Sequence, residues 1–274
     1  MGIEEVEENA PIPDLNSLRY AVIDTEVGMK DHRIHDIGIL RHDRGIYHSA
    51  SLTEAIHFVK DCDYLCGHNI VHHDAKYLFP NGQRQWALVD TLYISPLLFP
   101  QHSCHRLTKD DKLLSEQANN PVNDCEKDLD LLQEEIDKWA GLPQEKRQIY
   151  AGLLTRQPEF QGFLDMVNAS GRVRNLPRLI ADVYKGLVCS HADMAMMTRR
   201  YPRELAYALA LTETTDHCSA TPGWVLRQFP AVEHVMALLR ETPCRKGCAY
   251  CDQKLDIHRN LKKFFGHTEF RAYE

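Results

Sequence analysis

The feature that most constrains the fold is an alternation of short apolar runs with helix-like segments between residues 18 and 90. Short runs rich in aliphatic residues are typical of buried strands. Strands that alternate with helices usually pair in parallel, because each intervening helix returns the chain to the same edge of the sheet. The sequence therefore predicts an α/β fold with strands at residues 18–23, 34–40, 45–49, 64–66 and 87–90 and helices at 53–62 and 74–79.

The pattern becomes helical after residue 120. In residues 125–139, Leu129, Leu132 and Ile136 recur on one helical face, and acidic and lysine side chains occupy the others. Helix-like segments then continue to residue 240, separated by glycine and proline breaks. The sequence predicts a sheet-containing domain at residues 1–140, a mostly helical region at 141–240 and a segment with clustered cysteines at 241–274.

The composition excludes several classes of protein. With 43% hydrophobic and 26% charged residues, the chain resembles an average globular protein and not a disordered one. Its apolar runs fall far short of the ~20 residues that a membrane span needs, and its acidic N-terminus lacks the apolar core of a signal peptide. We expect a cytoplasmic protein with no membrane partner and with its nine cysteines as reduced thiols, apart from one cluster. The net charge of −7 limits phosphate binding to local basic patches.

Two acidic residues, Asp24 and Glu26, follow the first predicted strand with Thr25 between them. Side chains two residues apart on an extended chain point to the same side, so both carboxylates can reach one spot. Open α/β sheets bind ligands at the carboxyl ends of their strands, and Mg²⁺ and Mn²⁺ prefer oxygen ligands. The pair is a candidate metal site, although a solvated turn is the commoner explanation of two such acids when they are taken alone.

Further motifs extend this acidic pair into an ordered set. The first runs YAVIDTEVG and is followed by HRIHDIGIL; the second is LCGHNIVHHDAKYL, which contains His68, Asn69 and Asp74; the third passage is LVDTLYISPLLFP. A segment from Asn119 to Asp124 then opens a helix. Together these motifs make residues 18–132 resemble the DEDD, or DnaQ-like, 3′→5′ exonucleases.

The resemblance implies a ribonuclease-H-like mixed sheet flanked by helices and a nuclease that acts on DNA with a free 3′ end. It implies two divalent ions, Mg²⁺ or Mn²⁺, about 4 Å apart, which activate water and stabilise the leaving 3′ oxygen. The residues that the resemblance assigns to the metals are Asp24, Glu26, Asp74 and Asp124, and those assigned to nucleic-acid binding are Thr25, His68, Asn69 and Asn119.

The third motif departs from the family pattern, which reads His-x-Ala-x-x-Asp-Ala in the histidine subgroup. The preferred alignment places Asn119 at the histidine and Asp124 at the acid, and a rival alignment places Asn123 and Asp128 there. Both lack the histidine that deprotonates water. His105 or His102, just upstream, is the candidate replacement base, and a histidine in a surface loop is the commoner explanation of each. Because loss of a general base typically costs about 10²–10⁴-fold in rate, the alternative is a degenerate nuclease fold that serves as a nucleic-acid-binding or scaffolding module.

A second candidate metal site lies near the C-terminus, at Cys244, Cys248 and Cys251. Three thiols at this spacing favour Zn²⁺ or an iron–sulfur cluster, and we expect structural zinc rather than iron–sulfur; three unligated turn cysteines are the alternative. The candidates for the fourth ligand are His217, Cys218, His258 and His267.

The last residues, LKKFFGHTEFRAYE, resemble the lead-in to RecQ-like helicases. This resemblance implies that the segment at residues 241–274 leads toward a helicase, so a helicase is an expected partner. No helicase motif follows in the sequence.

Overall fold

The computed structural model of the protein describes residues 11–102, 104–107, 120–169, 171–214, 221–241, 244, 247–255 and 257–270, without the side chains of 241, 254, 255 and 257–259. Five strands form one mixed sheet: β1 (Tyr20–Val27), β2 (Ile34–Arg41), β3 (Ile46–His48), β4 (Tyr64–Gly67) and β5 (Ala87–Asp90). Their order is β3-β2-β1-β4-β5, with β1 antiparallel to β2 and parallel to β4, and β4 parallel to β5. The predicted α/β fold with parallel strands is confirmed.

Helices lie on both sides of this sheet. The helix predicted at residues 125–139 lies inside α4, which begins earlier because Asn120 caps it and Pro121 occupies its first position. The helices are α1 (Leu52–Phe58), α2 (Ala75–Leu78), α3 (Thr91–Leu98), α4 (Pro121–Ala140), α5 (Gln144–Leu154), α6 (Pro158–Met166), α7 (Leu176–Val183), α8 (Met194–Arg200), α9 (Pro202–Thr212), α10 (Gly223–Gln228), α11 (Ala231–Met236), α12 (Ala249–Leu255) and α13 (Ile257–Phe265), with a 3₁₀ turn at Leu15–Ser17 and a π-helical turn at Ala237–Glu241.

The central strand β1 is longer than the sequence predicted. Beyond Ile23 it continues to Val27, because Asp24, Thr25 and Glu26 pair with the antiparallel neighbour β2. Its first four residues are all buried: Tyr20 and Val22 face one core, and Ala21 and Ile23 face the other. The acidic pair therefore lies within the strand, on backbone that the sheet holds in place.

One core extends from the sheet into the helical region. Val22, Cys66 and Val89 of the sheet belong to the same buried cluster as Phe160 of α6 and Leu239 near the end of the helical part. The helices after residue 140 thus pack directly on the sheet, with no gap in the core at that position. In the described parts of the chain, none of the helices is both long and apolar enough to span a bilayer.

The helices after residue 140 approach the sheet closely at Gly162. This residue lies where α6 packs on β5, and a Cβ added to it would overlap the carbonyl group of Leu88. We expect Gly162→Ala to lower the free energy of unfolding by about 1–3 kcal/mol, the usual cost of overpacking a core. Denaturant unfolding measures this, with Gly223→Ala as the control because its Cβ would meet the Arg227 guanidinium at an ordinary 3.6 Å. An unchanged Gly162→Ala variant would contradict the tight contact.

Candidate functional site

Three carboxylates from two separated segments converge beside the central strand. Asp24 and Glu26 lie on the same side of β1, and Asp124 lies in the first turn of α4. One carboxylate oxygen from each of the three lies within 4.8 Å of the others, and all three residues are partly exposed. The structure thus brings Asp124 close to the acidic pair, although it lies about one hundred residues further along the chain.

A close approach between α4 and β2 makes this convergence possible. Gly38 of β2 pairs with Asp24 of β1, and a Cβ at Gly38 would overlap the carbonyl carbon of Pro121 and lie 2.5 Å from the amide nitrogen of Val122. The thiol of Cys125 donates a hydrogen bond to the Gly38 carbonyl oxygen at 3.3 Å. The first turn of α4 therefore lies directly on β2, next to Asp24.

The electrostatics of this group favour a cation. Burial, followed by the negative charges of Asp74, Asp124, Glu26 and Asp128, raises the pKa of Asp24 from 3.8 to about 8. A divalent cation with oxygen ligands would relieve this repulsion, and hard oxygen donors are the ligands that Mg²⁺ and Mn²⁺ prefer. The three carboxylates fit such an ion.

Asp74 has a different position from the other three acids. It is buried, and its Oδ1 accepts hydrogen bonds from the backbone nitrogen and the hydroxyl of Thr25, at 3.1 and 2.5 Å. Thr25, predicted to contact nucleic acid, thus directs its hydroxyl to Asp74 inside the protein. His73 lies 3.5 Å from the same carboxylate oxygen, and this hydrogen bond raises the pKa of its ring. Asp74 fixes the stretch of β1 that carries Asp24 and Glu26.

Asp90 holds the loop that follows β4. Its carboxylate accepts hydrogen bonds from the backbone nitrogens of Asn69, Val71 and Leu92 at 2.9–3.2 Å. Asn69 has a φ of 72°, a left-handed conformation that asparagine tolerates better than most residues. Burial raises the pKa of Asp90 to about 8. Asp90 is part of the passage LVDTLYISPLLFP in the sequence, and its role in fixing this loop is seen only in the structure.

His68 and His105 lie in a buried polar chain. The His68 ring contacts the Thr91 hydroxyl at 3.0 Å, and that hydroxyl donates to Asp128 at 2.5 Å. His105 contacts the Ser95 hydroxyl at 2.8 Å, and burial lowers the pKa of both histidines to about 4. The contacts described for His105 are with Ser95 and neighbouring histidines, not with the three clustered carboxylates.

The hydrogen bonds through Thr91 also distinguish the acids that the two alignments of the third motif propose, Asp124 and Asp128. Asp128 is buried and bound to Thr91, and burial raises its pKa to about 7, whereas Asp124 belongs to the carboxylate group. The placement favours the alignment that uses Asp124. Asn119, at the histidine position of that alignment, lies outside the described residues.

A further buried acid, Glu135, lies on α4 after Asp128 and outside the group of three carboxylates. It is fully buried, and neither carboxylate oxygen has a hydrogen-bond partner among the described residues. Burial raises its pKa well above 4.5, so the folded chain keeps a proton that the unfolded chain loses as the pH rises above that value.

We therefore expect Glu135→Gln to stabilise the protein relative to the wild type as the pH rises from about 5 to 8. The gain grows by up to about 1.4 kcal/mol per pH unit until the folded-state pKa is reached. Thermal unfolding as a function of pH measures it, and Glu134→Gln on the exposed face of the same helix is the control. A gain that does not change with pH would contradict the buried, protonated state of Glu135.

The cysteine cluster forms a second group of candidate ligands. Ligand atoms of Cys189, His191, Cys244 and Cys248 all lie within 4.8 Å of one another, and Cys251 is buried in the same cluster. Of the fourth ligands that the sequence suggested, His217 and Cys218 lie outside the described residues, as does the side chain of His258, and His267 is exposed beyond α13. The Cys-x-His pair at residues 189–191 is the sequence signal that could have identified these ligands.

Comparison with known proteins adds no relative: the chain matches no family model, no curated protein and no solved structure.

Proposed function

We propose that the protein is a metal-dependent 3′→5′ exonuclease of the DEDD type that hydrolyses terminal phosphodiesters of DNA. The observation that carries this proposal is the convergence of Asp24, Glu26 and Asp124 beside the central strand. The mixed sheet flanked by helices agrees with a ribonuclease-H-like fold, which the proposal includes. The ordered motifs of residues 18–132 supply the reaction class.

In this proposal Asp24, Glu26, Asp74 and Asp124 hold two Mg²⁺ or Mn²⁺ ions. When bound, such ions lower the pKa of a ligated water and neutralise charge on the reacting phosphate. Asp74 has a double role, since its Oδ1 also fixes Thr25 between the two ligands of β1. The loop with His68 and Asn69, held by Asp90, lies at the same edge of the sheet and would receive the terminal nucleotides.

The proton acceptor distinguishes this site from the histidine subgroup. Position 119 carries an asparagine, which has no basic group, and His105 is engaged by Ser95. His73 contacts Asp74, one of the four acids, at 3.5 Å. We expect slow hydrolysis, because the site retains its carboxylates and lacks the usual base, a loss worth about 10²–10⁴-fold.

Asn119 also supports a second candidate function, a nucleic-acid-binding or scaffolding module whose nuclease site is degenerate. The retained acids weigh against it. Four neighbouring carboxylates destabilise one another, as the raised pKa of Asp24 indicates, and a protein without a bound cation gains nothing from that repulsion.

Two further elements belong to the proposal. A helicase partner is supported by the resemblance of the last residues to a helicase lead-in and by the exposure of Phe264, Phe265 and Phe270 there. Zn²⁺ at the cysteine cluster is the second proposed cofactor.

A labelled single strand of DNA tests the activity. We expect the full chain, with Mg²⁺ or Mn²⁺, to convert a 5′-labelled strand into a ladder that shortens from the 3′ end and to leave a circular strand intact. Asp24→Ala should abolish the ladder. Cleavage that survives Asp24→Ala, or cleavage of the circle, would overturn the assignment, and binding without cleavage in Mn²⁺ would favour the module.

A further inference from the structure

Four cysteines from two segments that are far apart in the sequence lie close together in the structure. Cys189 follows α7, and Cys244, Cys248 and Cys251 precede or begin α12. Cys189, Cys248 and Cys251 are buried together in one cluster, and the partly buried Cys244 packs against them. We propose that these four thiols bind one Zn²⁺ and that this site fastens the C-terminal segment to the helical region.

The fourth ligand is the new element of this inference. A structural zinc site takes four ligands in a tetrahedron, and the four thiols form a complete set without any other residue. His191 is exposed, and its Nδ1 lies 3.4 Å from the Cys244 sulfur. We propose that His191 hydrogen-bonds to the Cys244 sulfur and orients this ligand without binding the metal itself.

The backbone around Cys189 is arranged to stabilise charged sulfur. The amide of Ser190 donates to the Cys248 sulfur, and the amide of His191 donates to the Cys189 sulfur, each at 3.4 Å. Hydrogen bonds to the charged form favour a thiolate, the species that binds a metal. The amide of Cys189 itself donates to the Leu239 carbonyl at 2.8 Å, which holds this turn against the end of the helical region.

The described part of the C-terminal segment buries few apolar side chains. Among its described residues beyond 241, the buried apolar side chains are Cys248 and Cys251, and Phe264 and Phe265 are exposed. Tyr250 adds two hydrogen bonds with Arg240: its hydroxyl accepts from Nε at 3.0 Å and donates to the carbonyl oxygen at 3.3 Å. A segment with so small a core gains its folded position from the metal, since zinc binding contributes directly to folding free energy. Four protein ligands leave no open position, so the role is structural.

Elemental analysis of the full chain, purified without chelator, tests the inference independently of nuclease activity. We expect one zinc per chain, no brown colour, and loss of the zinc in Cys189→Ser. Cys104→Ser, which removes an exposed free thiol, should keep it, and so should His191→Ala. A wild-type chain without zinc, a broad absorbance near 400 nm typical of an iron–sulfur cluster, or zinc that survives Cys189→Ser would overturn the proposal.

A measurement on the unaltered chain covers the case in which Cys189→Ser fails to fold. Replacing zinc with Co²⁺ should give the intense absorption bands of a tetrahedral centre with four thiolates. A spectrum with fewer thiolate ligands would overturn the four-cysteine set. Chelation should also speed tryptic cleavage after Lys262 and Lys263 of α13, and an unchanged rate of cleavage there would contradict the fastening role.

Discussion

Asp24→Asn and Asp124→Asn should each reduce hydrolysis at the 3′ end by at least about 10³-fold, because bound metal supplies several kcal/mol of transition-state stabilisation and each 1.4 kcal/mol is a factor of ten. These two residues come from β1 and α4, and their carboxylates lie within 4.8 Å of each other. Asp130→Asn makes the same change on the exposed side of α4 and should leave the rate unchanged. Initial rates on a 5′-labelled strand in Mn²⁺ measure all three. Equal rates for Asp124→Asn and Asp130→Asn would remove Asp124 from the site.

Asp24→Asn, which should lower activity, should raise the stability of the metal-free protein at high pH. The pKa of Asp24 is raised from 3.8 to about 8, so the folded chain binds a proton that the unfolded chain has lost between these values. The stability of the metal-free wild type therefore falls as the pH rises from about 4 to 8, and Asp24→Asn lacks this fall. In chelator at pH 8 we expect Asp24→Asn to melt at a higher temperature than the wild type, with the difference closing toward pH 4. A lower melting temperature at pH 8 would indicate that Asp24 is not held among repelling charges.

Local patterns predicted the sheet and the acidic pair well. The five strands lie close to their predicted positions. The aliphatic runs of β1, β4 and β5 are mostly buried, which is the pattern that predicts buried strands. The placement of Asp24 and Glu26 on one side follows from the two-residue period of a strand alone. Their strand is longer than predicted because antiparallel pairing with β2 recruits polar residues that have no strand signal of their own.

Contacts between distant segments could not be predicted in this way. Cys189 reaches Cys248 only because helices α8 to α11 return the chain to the end of α7. Asp90 holds a loop through the backbone nitrogens of Asn69 and Val71, which no side-chain pattern reveals. His105 seemed free to act as a base, and its burial against Ser95 depends on how residues 104–107 fold back on α3.

Gly38 is where such a long-range contact bears directly on the candidate site. Nothing in the sequence distinguishes it from any other glycine in a strand, and its role depends on the first turn of α4 lying against it. A methyl group there would push Pro121 and Val122 away from β2. The remainder of α4 is anchored in the core by Leu132, Ile136 and Trp139, so the helix would tilt at its N-terminal end, which carries Asp124.

We therefore expect Gly38→Ala to reduce kcat/KM for 3′-end hydrolysis by about 10²-fold, the usual effect of misplacing a catalytic group by 1 Å. The free energy of unfolding should fall by about 1–3 kcal/mol, the cost of overpacking. Gly141→Ala, at the other end of the same helix, is the matched control, because its Cβ would lie 3.6 Å from the Asp137 and Lys138 carbonyl oxygens. Rates are compared well below the melting temperature of each variant, so that unfolding does not contribute. Full activity in a destabilised Gly38→Ala variant would show that Asp124 reaches its position without this contact, and loss of activity with retained stability would identify Gly38 as a positioning residue.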